Sequence, residues 1–206
     1  RPAGRRGKEE PKTVLTYYYE LPLKALPVVE SYLTVKNAED ARVQYSDSKD
    51  MRSTFLRTHD VTRGYAHLQR AGETKYQRLQ MLNTGDGQLL MAVETSDCGR
   101  YCTGNDFKIY RKDTAWIDVT SEYLPELDRN AVLKILKSSY KDQFLDMEEY
   151  TARNYEEGDN LRKGLIYMIS PDGNKIIVYE QYLPLHLYEY TWNAEKSRFD
   201  VNKLCR

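Results

Sequence analysis

YQRLQMLNTGDGQLLMAV, residues 76–93, is the stretch that decides the fold class. Its two apolar-rich halves flank a polar segment with an Asp86-Gly87 pair, which is a signature of a β-hairpin. This alternation of apolar and polar residues predicts two antiparallel strands with one buried face. Apolar residues recur with period two on both sides of the turn, at Leu79, Met81, Leu89, Met91 and Val93.

The strand pattern continues after the hairpin and predicts an antiparallel meander of about four strands over residues 64–120. A helical period then replaces it, and Asp128 can cap a helical segment over 126–157. Strand patterns return around the Asp172-Gly173 turn and predict a second meander over 163–202. The expected fold is therefore α+β, with antiparallel β-meanders and a helical segment between them packed on the sheet.

Charge is balanced over the 206 residues, with 31 Lys and Arg against 31 Asp and Glu. That neutrality argues against nucleic acid as a partner, because binding to phosphates needs a basic face. The balance is uneven, since residues 1–12 carry five positive and two negative charges. They are predicted to be a disordered leader left after signal cleavage, ahead of a single domain over 13–206. A basic arm for nucleic acid or anionic lipid is the alternative interpretation of the leader.

The three cysteines indicate the kind of cellular compartment, oxidising or reducing, in which the protein works. Cys98 and Cys102 are separated and followed by turn-forming residues, so the backbone can fold back and bring their Cβ atoms together. A local Cys98–Cys102 disulfide is predicted, which implies an oxidising compartment. The alternatives are a redox-active pair and a metal site, which would need further ligands such as Cys205, His59 or His67. Cys205 is the odd thiol, either free or able to link two chains.

The sequence lacks the motifs of familiar catalytic and metal sites, among them G-x-S-x-G, the Walker loop, H-E-x-x-H and the EF-hand loop. The three histidines, His59, His67 and His186, are predicted to be structural or surface residues. Carboxylates cluster at helical spacing from Asp142 onward, which can pair them for acid–base work but is more typical of a solvated acidic face. No cofactor and no metal ion is therefore predicted.

Tyrosine is the unusual feature of the composition, with 18 Tyr against 4 Phe and 2 Trp. A flat apolar body with a polar tip suits a binding surface for a protein, a peptide or a glycan. The alternative is structural, since Tyr also favours half-exposed sheets. The candidate binding residues crowd into the last strands, where alternation must turn some of them away from the core: Tyr179, Tyr182, His186, Tyr188, Tyr190 and Trp192.

Several short motifs follow one another along the chain: Tyr17–Pro22, Gly64–Leu68, Thr95–Cys102, Phe107–Tyr110, Trp116–Thr120, Tyr123–Pro125 and Leu187–Asn193. Their order resembles that of small exported bacterial proteins of unknown function, with a Cys-Gly-x-x-Cys-like loop after a β-hairpin and a Leu-Pro before a helix. The resemblance covers most of residues 13–202. It implies an extracytoplasmic location, periplasmic or secreted, and a mixed fold, and it transfers no catalytic residue.

The function expected from these patterns is that of an exported, non-enzymatic binding or interaction module that uses the Tyr/Trp-rich sheet face. The alternative is a hydrolase-type enzyme, which requires His59 or His186 to converge with a carboxylate in one cleft. The expected partner is a protein, a peptide or a glycan, and Cys205, where it is not a free thiol, can link two chains into a dimer. A membrane-spanning chain is not expected, since no apolar run approaches the roughly 20 residues that cross a bilayer.

Overall fold

The computed structural model describes residues 12–18, 20–22, 25, 56–69, 72–99, 102–139, 164–180 and 185–203. Its helices are α1 (Val14–Tyr18), α2 (Thr120–Tyr123) and α3 (Arg129–Ser139). None of these helices is long and apolar enough to cross a membrane. The first sheet contains β1 (Leu56–Asp60), β2 (Tyr65–Gln69), β3 (Lys75–Asn83), β4 (Leu89–Cys98), β5 (Cys102–Lys112) and β6 (Trp116–Asp118). The second contains β7 (Leu165–Ile169), β8 (Lys175–Glu180), β9 (His186–Asn193) and β10 (Arg198–Lys203).

The first sheet is an antiparallel meander in which each strand pairs with the next along the chain. The predicted hairpin is confirmed as its centre, because β3 and β4 pair from Lys75 opposite Asp97 to Asn83 opposite Leu89. Gly87 adopts a φ of 81° in the connecting turn, a conformation that favours glycine. Among the described residues this meander has six strands where about four were expected, because β1 precedes residue 64 and β2 lies within the expected range.

The second sheet is also antiparallel, in the order β10-β9-β8-β7. The predicted turn between β7 and β8 is confirmed, with Gly173 at a φ of 77° and Asn174 at 59°. The second meander expected over 163–202 continues through the hairpin of β9 and β10, with Asn193 opposite Arg198 at its turn.

The first sheet is covered on both faces, although one buried face was expected. The face with Leu82 and Leu90 packs against the second sheet and α3 in the larger core. The opposite face, with Leu79 and Met91, belongs to a second core under α1. Because strand side chains alternate, apolar residues on consecutive positions such as Leu90 and Met91 supply both cores.

β7 is an edge strand of the second sheet, and the edge that faces away from β8 contacts the first sheet. Asn105 Oδ1 accepts a hydrogen bond from the Tyr167 N–H at 3.0 Å, and Asn105 Nδ2 donates to the Tyr167 carbonyl at 3.3 Å. Glu94 Oε2 accepts a hydrogen bond from the Ile169 N–H at 2.8 Å. Side chains of β4 and β5 thus take the place of a neighbouring strand for Tyr167 and for the N–H of Ile169.

The described residues form a predominantly β fold, two antiparallel sheets with a few short helices. The expected α+β class is supported only in that coarser form. Within the helical segment expected over 126–157, α3 begins after Asp128, whose Oδ1 accepts from the N–H of Asn130 at 2.9 Å. Residues 140–157 lie outside the described residues, as does the leader predicted over 1–12 except for Lys12.

Replacing Asn105 by leucine tests its support of β7. The variant removes both hydrogen bonds to Tyr167, so the free energy of unfolding should fall by about 2 kcal/mol. Urea denaturation followed by circular dichroism measures the change. Asn202→Leu, on the exposed part of β10, is the matched control and should change stability by less than about 0.5 kcal/mol. Equal stability of the two variants would exclude this role for Asn105.

Candidate functional site

The Tyr/Trp-rich face that was predicted as a binding surface is mostly core. Tyr188, Tyr190 and Trp192 are 8%, 0% and 7% exposed, and they belong to the larger core. Trp192 also donates its indole N–H to the Asn83 carbonyl at 2.8 Å. The prediction of an exposed aromatic patch is therefore wrong for these three residues, because this sheet face meets the first sheet and α3.

Two further residues of that set lie together where β8 pairs with β9. The ring centroids of Tyr179 and His186 are 6.1 Å apart, with Tyr179 half-buried and His186 exposed. Tyr182 lies outside the described residues. A binding role for Tyr179 and His186 stays a prediction.

The two cysteines of the predicted bridge are brought together by the backbone. Cys98 and Cys102 are partners at the end of the β4–β5 ladder, where the strand register shifts. Opposed residues of antiparallel strands have Cβ atoms close to disulfide range, so the register supports the bridge. The side chain of Cys102 and all of Cys205 lie outside the described residues, and the disulfide and the dimer stay predictions.

A polar cluster interrupts the larger core on the first sheet. His67, Arg78 and Glu94 are cross-strand neighbours on β2, β3 and β4. Arg78 Nη1 lies 3.5 Å from Glu94 Oε1, and the guanidinium lies 4.7 Å from the centroid of the Tyr76 ring. Glu94 is fully buried, and burial raises its pKa although Arg78 and the Ile169 amide act to lower it.

This cluster is best explained by the support of β7. Glu94 bonds the Ile169 N–H, and Arg78 supplies the counter-charge that a buried carboxylate needs. Arg78 Nε and Nη1 have no hydrogen-bond partner in the part of the chain that the structure describes. Both atoms are buried, so a ligand would have to displace protein atoms in order to reach them.

The hydrolase alternative requires a carboxylate beside one of two histidines, His59 in the first sheet or His186 in the second. Burial lowers the pKa of His59 more than the neighbouring Asp60 raises it. The Asp60 carboxylate accepts a hydrogen bond from the Arg63 N–H at 2.9 Å in the β1–β2 turn. Asp60 therefore stabilises a turn, and among the described residues no imidazole donates a hydrogen bond to it.

An open groove of about 500 Å³ lies beside β5, at the margin of the first sheet. We call it the β5 groove. Its residues come from β5, the end of β6, α2 and the edge of β7: Asn105, Asp106, Phe107, Lys108, Asp118, Thr120, Ser121, Leu124 and Tyr167.

The β5 groove exists because β6 stops early. β6 pairs only with Tyr110–Lys112, although β5 extends back to Cys102. Asp118 then turns the chain into α2, since its Oδ1 accepts hydrogen bonds from the N–H and the hydroxyl of Thr120 at 3.0 and 2.6 Å. The part of β5 before Ile109 has no second neighbouring strand among the described residues.

Asn105 and Phe107 of β5 present their backbone N–H and C=O groups to this groove. Ile109 uses the same side of the strand, where its carbonyl accepts from the Val119 N–H at 2.8 Å and its N–H donates to Thr120 Oγ1 at 2.9 Å. Because backbone groups alternate along a strand, Phe107 and Asn105 point their N–H and C=O the same way. No residue in the described ranges pairs with these four groups.

The outer wall of the β5 groove is acidic. Lys108 is the one cation among the described residues that line the groove beside Asp106 and Asp118, and its Nζ is 3.5 Å from Asp118 Oδ2. Partial burial acts to raise the pKa of Asp118, but the Thr120 hydrogen bonds and the Lys108 charge outweigh it and hold the pKa below its usual value. Burial and these two carboxylates raise the pKa of Tyr110 to about 12. Two carboxylates against one ammonium leave one net negative charge, which is located at Asp106.

Sequence reasoning missed the β5 groove because its residues form no motif. The feature that creates the groove is a mismatch in strand length, which the structure shows and the residue pattern does not. β5 has 11 residues and β6 has 3, so part of β5 must lack a neighbour on that side. The signal that the sequence does carry is local: Thr120 follows Asp118 by two residues, and such a pair favours a turn.

Comparison with known proteins supports the fold alone. No protein-family model matches the chain, and no curated protein matches it in sequence. A solved domain of an uncharacterized protein from Porphyromonas gingivalis W83 is similar in structure, with a TM-score of 0.56 and 12% sequence identity. The match covers 92% of this chain and 98% of that domain.

His67 predicts a dependence of stability on pH. Burial, together with Arg78 and Arg57, lowers the pKa of His67 to about 4. The unfolded chain, with an ordinary value near 6.5, therefore binds the proton first as the pH falls. The contribution of neutral His67 to the unfolding free energy is therefore fully present above pH 6.5, and it is lost as the pH falls towards 4.

His67→Phe keeps an aromatic ring beside Tyr76 and removes this titration. Between pH 7 and pH 4, the wild type should lose about 2 kcal/mol more unfolding free energy than the variant. Urea denaturation at both pH values measures the difference. The raised pKa of Glu94 changes the unfolding free energy in the opposite direction, but both proteins contain Glu94, so its contribution cancels in the comparison. Parallel losses in the two proteins would show that His67 titrates normally in the folded state.

Proposed function

We propose that the protein is an exported, non-enzymatic interaction module that binds a segment of a partner polypeptide in the β5 groove. One observation carries the proposal: Asn105 and Phe107 present backbone N–H and C=O groups to an open groove of about 500 Å³. Unpaired strand edges attract further chains, and natural proteins usually cover or charge them. An edge left open beside a groove is therefore favourable for binding a peptide.

A polypeptide fits the β5 groove better than the glycan that the composition also suggested. Glycan sites use exposed aromatic rings, whereas Phe107 and Tyr167 are only 7% and 5% exposed. Their rings pack against each other, with centroids 5.8 Å apart. What the groove offers is a row of backbone donors and acceptors, which are the groups that another backbone complements.

The exported location belongs to the same proposal. It is supported by the alignment of Cys98 with Cys102, which suits a disulfide, and by the resemblance to small exported bacterial proteins. The hydrolase alternative through His59 has no comparable support, because the Asp60 carboxylate beside His59 accepts a hydrogen bond from the Arg63 N–H in the β1–β2 turn.

A thiol count tests the bridge. The protein purified without reductant and then denatured should show one reactive thiol, that of Cys205, and three after reduction. Ellman's reagent measures both numbers. Cys205→Ser is the control and should show no reactive thiol before reduction. Three thiols in the unreduced wild type would remove the argument for an oxidising compartment, and a product of doubled mass on a non-reducing gel would identify a Cys205-linked dimer.

Filling the β5 groove tests the binding function. A phage-displayed library of random peptides is selected on the wild type, and the enriched peptides are then measured by calorimetry. Ser121→Trp places a large side chain at the exposed wall of the groove and should weaken their binding at least tenfold.

Thr114→Trp is the matched control, since Thr114 lies exposed in the β5–β6 turn, outside the groove lining. It should leave the dissociation constants unchanged. Equal binding by Ser121→Trp and the wild type would mean that the selected peptides use another surface, and the proposed function would then be rejected. A library that yields no binding peptide would also count against it.

A further inference from the structure

Building on the proposed function, we infer that the partner segment is an extended, basic peptide that joins the first sheet as an added strand along β5. The β5 groove then does more than enclose a ligand, because it continues the sheet where β6 leaves it. The bound strand lies beside Asn105–Lys108, between the Asp118–Leu124 segment and the edge of β7.

The backbone geometry supports strand addition. The pairing of β4 with β5 is regular from Gly104 to Arg111, so this part of β5 is an undistorted template. Ile109 already bonds outward on this side, to Val119 and Thr120. Asn105 and Phe107 continue the same row at intervals of about 7 Å, the two-residue repeat of a strand. A peptide of about five residues can make four hydrogen bonds to them, two with each residue.

The two faces of β5 set different requirements for the side chains of the added strand. Phe107 and Asn105 point towards the larger core, beside Tyr167 and Leu124. Peptide residues on that face should be small or apolar, and β-branched residues favour strands.

Peptide residues on the opposite face lie next to Asp106 and Lys108. Asp106 is exposed, and no salt bridge joins it to any cation in the described ranges. Lys108 is already paired with Asp118. A lysine or arginine of the peptide therefore complements Asp106, as opposite charges on neighbouring strands attract. The preferred ligand alternates basic residues with small or apolar ones.

Three blocked hexapeptides test the inference: one that alternates valine and lysine, one N-methylated at every valine, and one N-methylated at every lysine. Only every second amide of an added strand points towards β5. In antiparallel addition these are the valine amides, so methylation at valine should abolish binding to the wild type. Methylation at lysine should change the dissociation constant less than threefold. The reverse pattern would indicate parallel addition and would equally support an added strand.

Amide hydrogen exchange measured by NMR gives an independent result. The unmethylated peptide should slow exchange at the Phe107 and Asn105 amides at least tenfold. The amide of Asp106 points to β4 and should change little. Asp106→Lys should weaken the peptide about tenfold. Glu195→Lys makes the same charge change in the β9–β10 turn and should have no effect.

The two proposals fail in different ways. Binding that Ser121→Trp removes but that both methylated peptides retain equally would overturn strand addition and leave the β5 groove as the binding site. Binding that Ser121→Trp leaves intact would reject the groove itself. A protein that sediments as a dimer, and that the peptide converts to a monomer, would show that a second copy of this chain occupies the edge, which overturns the inference of a basic partner.

Discussion

The outward backbone N–H and C=O groups of β7 need hydrogen-bond partners, although β7 is an edge strand of its sheet. The contact between the two sheets depends on the side chains that supply those partners. Asn105 and Glu94 supply the missing acceptors and donor, so the second sheet rests on the first through side chains. A carboxylate at that place needs a counter-charge, which Arg78 provides, and Tyr76 packs against its guanidinium. One backbone requirement thus explains why polar residues occupy the middle of an otherwise apolar face.

Asn105 connects this support with the candidate binding site. Its side chain bonds the backbone of Tyr167, and its own backbone faces the β5 groove. The side chain of Asn105 therefore closes the edge of β7, while its main chain belongs to an edge of β5 that no strand of the described ranges pairs with. A strand bound in the groove and the contact between the two sheets share this residue, which makes the position of β7 relevant to binding.

The sequence predicted the hairpins well because their signals are local. The Asp86-Gly87 and Asp172-Gly173 turns and the period-two alternation lie within a few residues of the pairs they specify. Prediction from the sequence failed where the decisive contacts join residues that are far apart in the chain. From the sequence of its own strand, Trp192 can be a surface aromatic residue. Its indole N–H, however, donates a hydrogen bond to the carbonyl of Asn83, which lies 109 residues earlier in the chain. The β5 groove follows from the unequal lengths of β5 and β6, which no residue type reveals.

Glu94 has a different significance while the chain is being synthesised. The amide that it binds belongs to Ile169, 75 residues later, so the first sheet can form well before the second sheet exists. At that stage the face with Leu82 and Leu90 is bare to water, and Glu94 is a hydrated charge in its middle. Such a charge discourages nascent sheets from stacking on one another. The residue that is costly to bury in the finished protein is therefore expected to protect the unfinished one from aggregation.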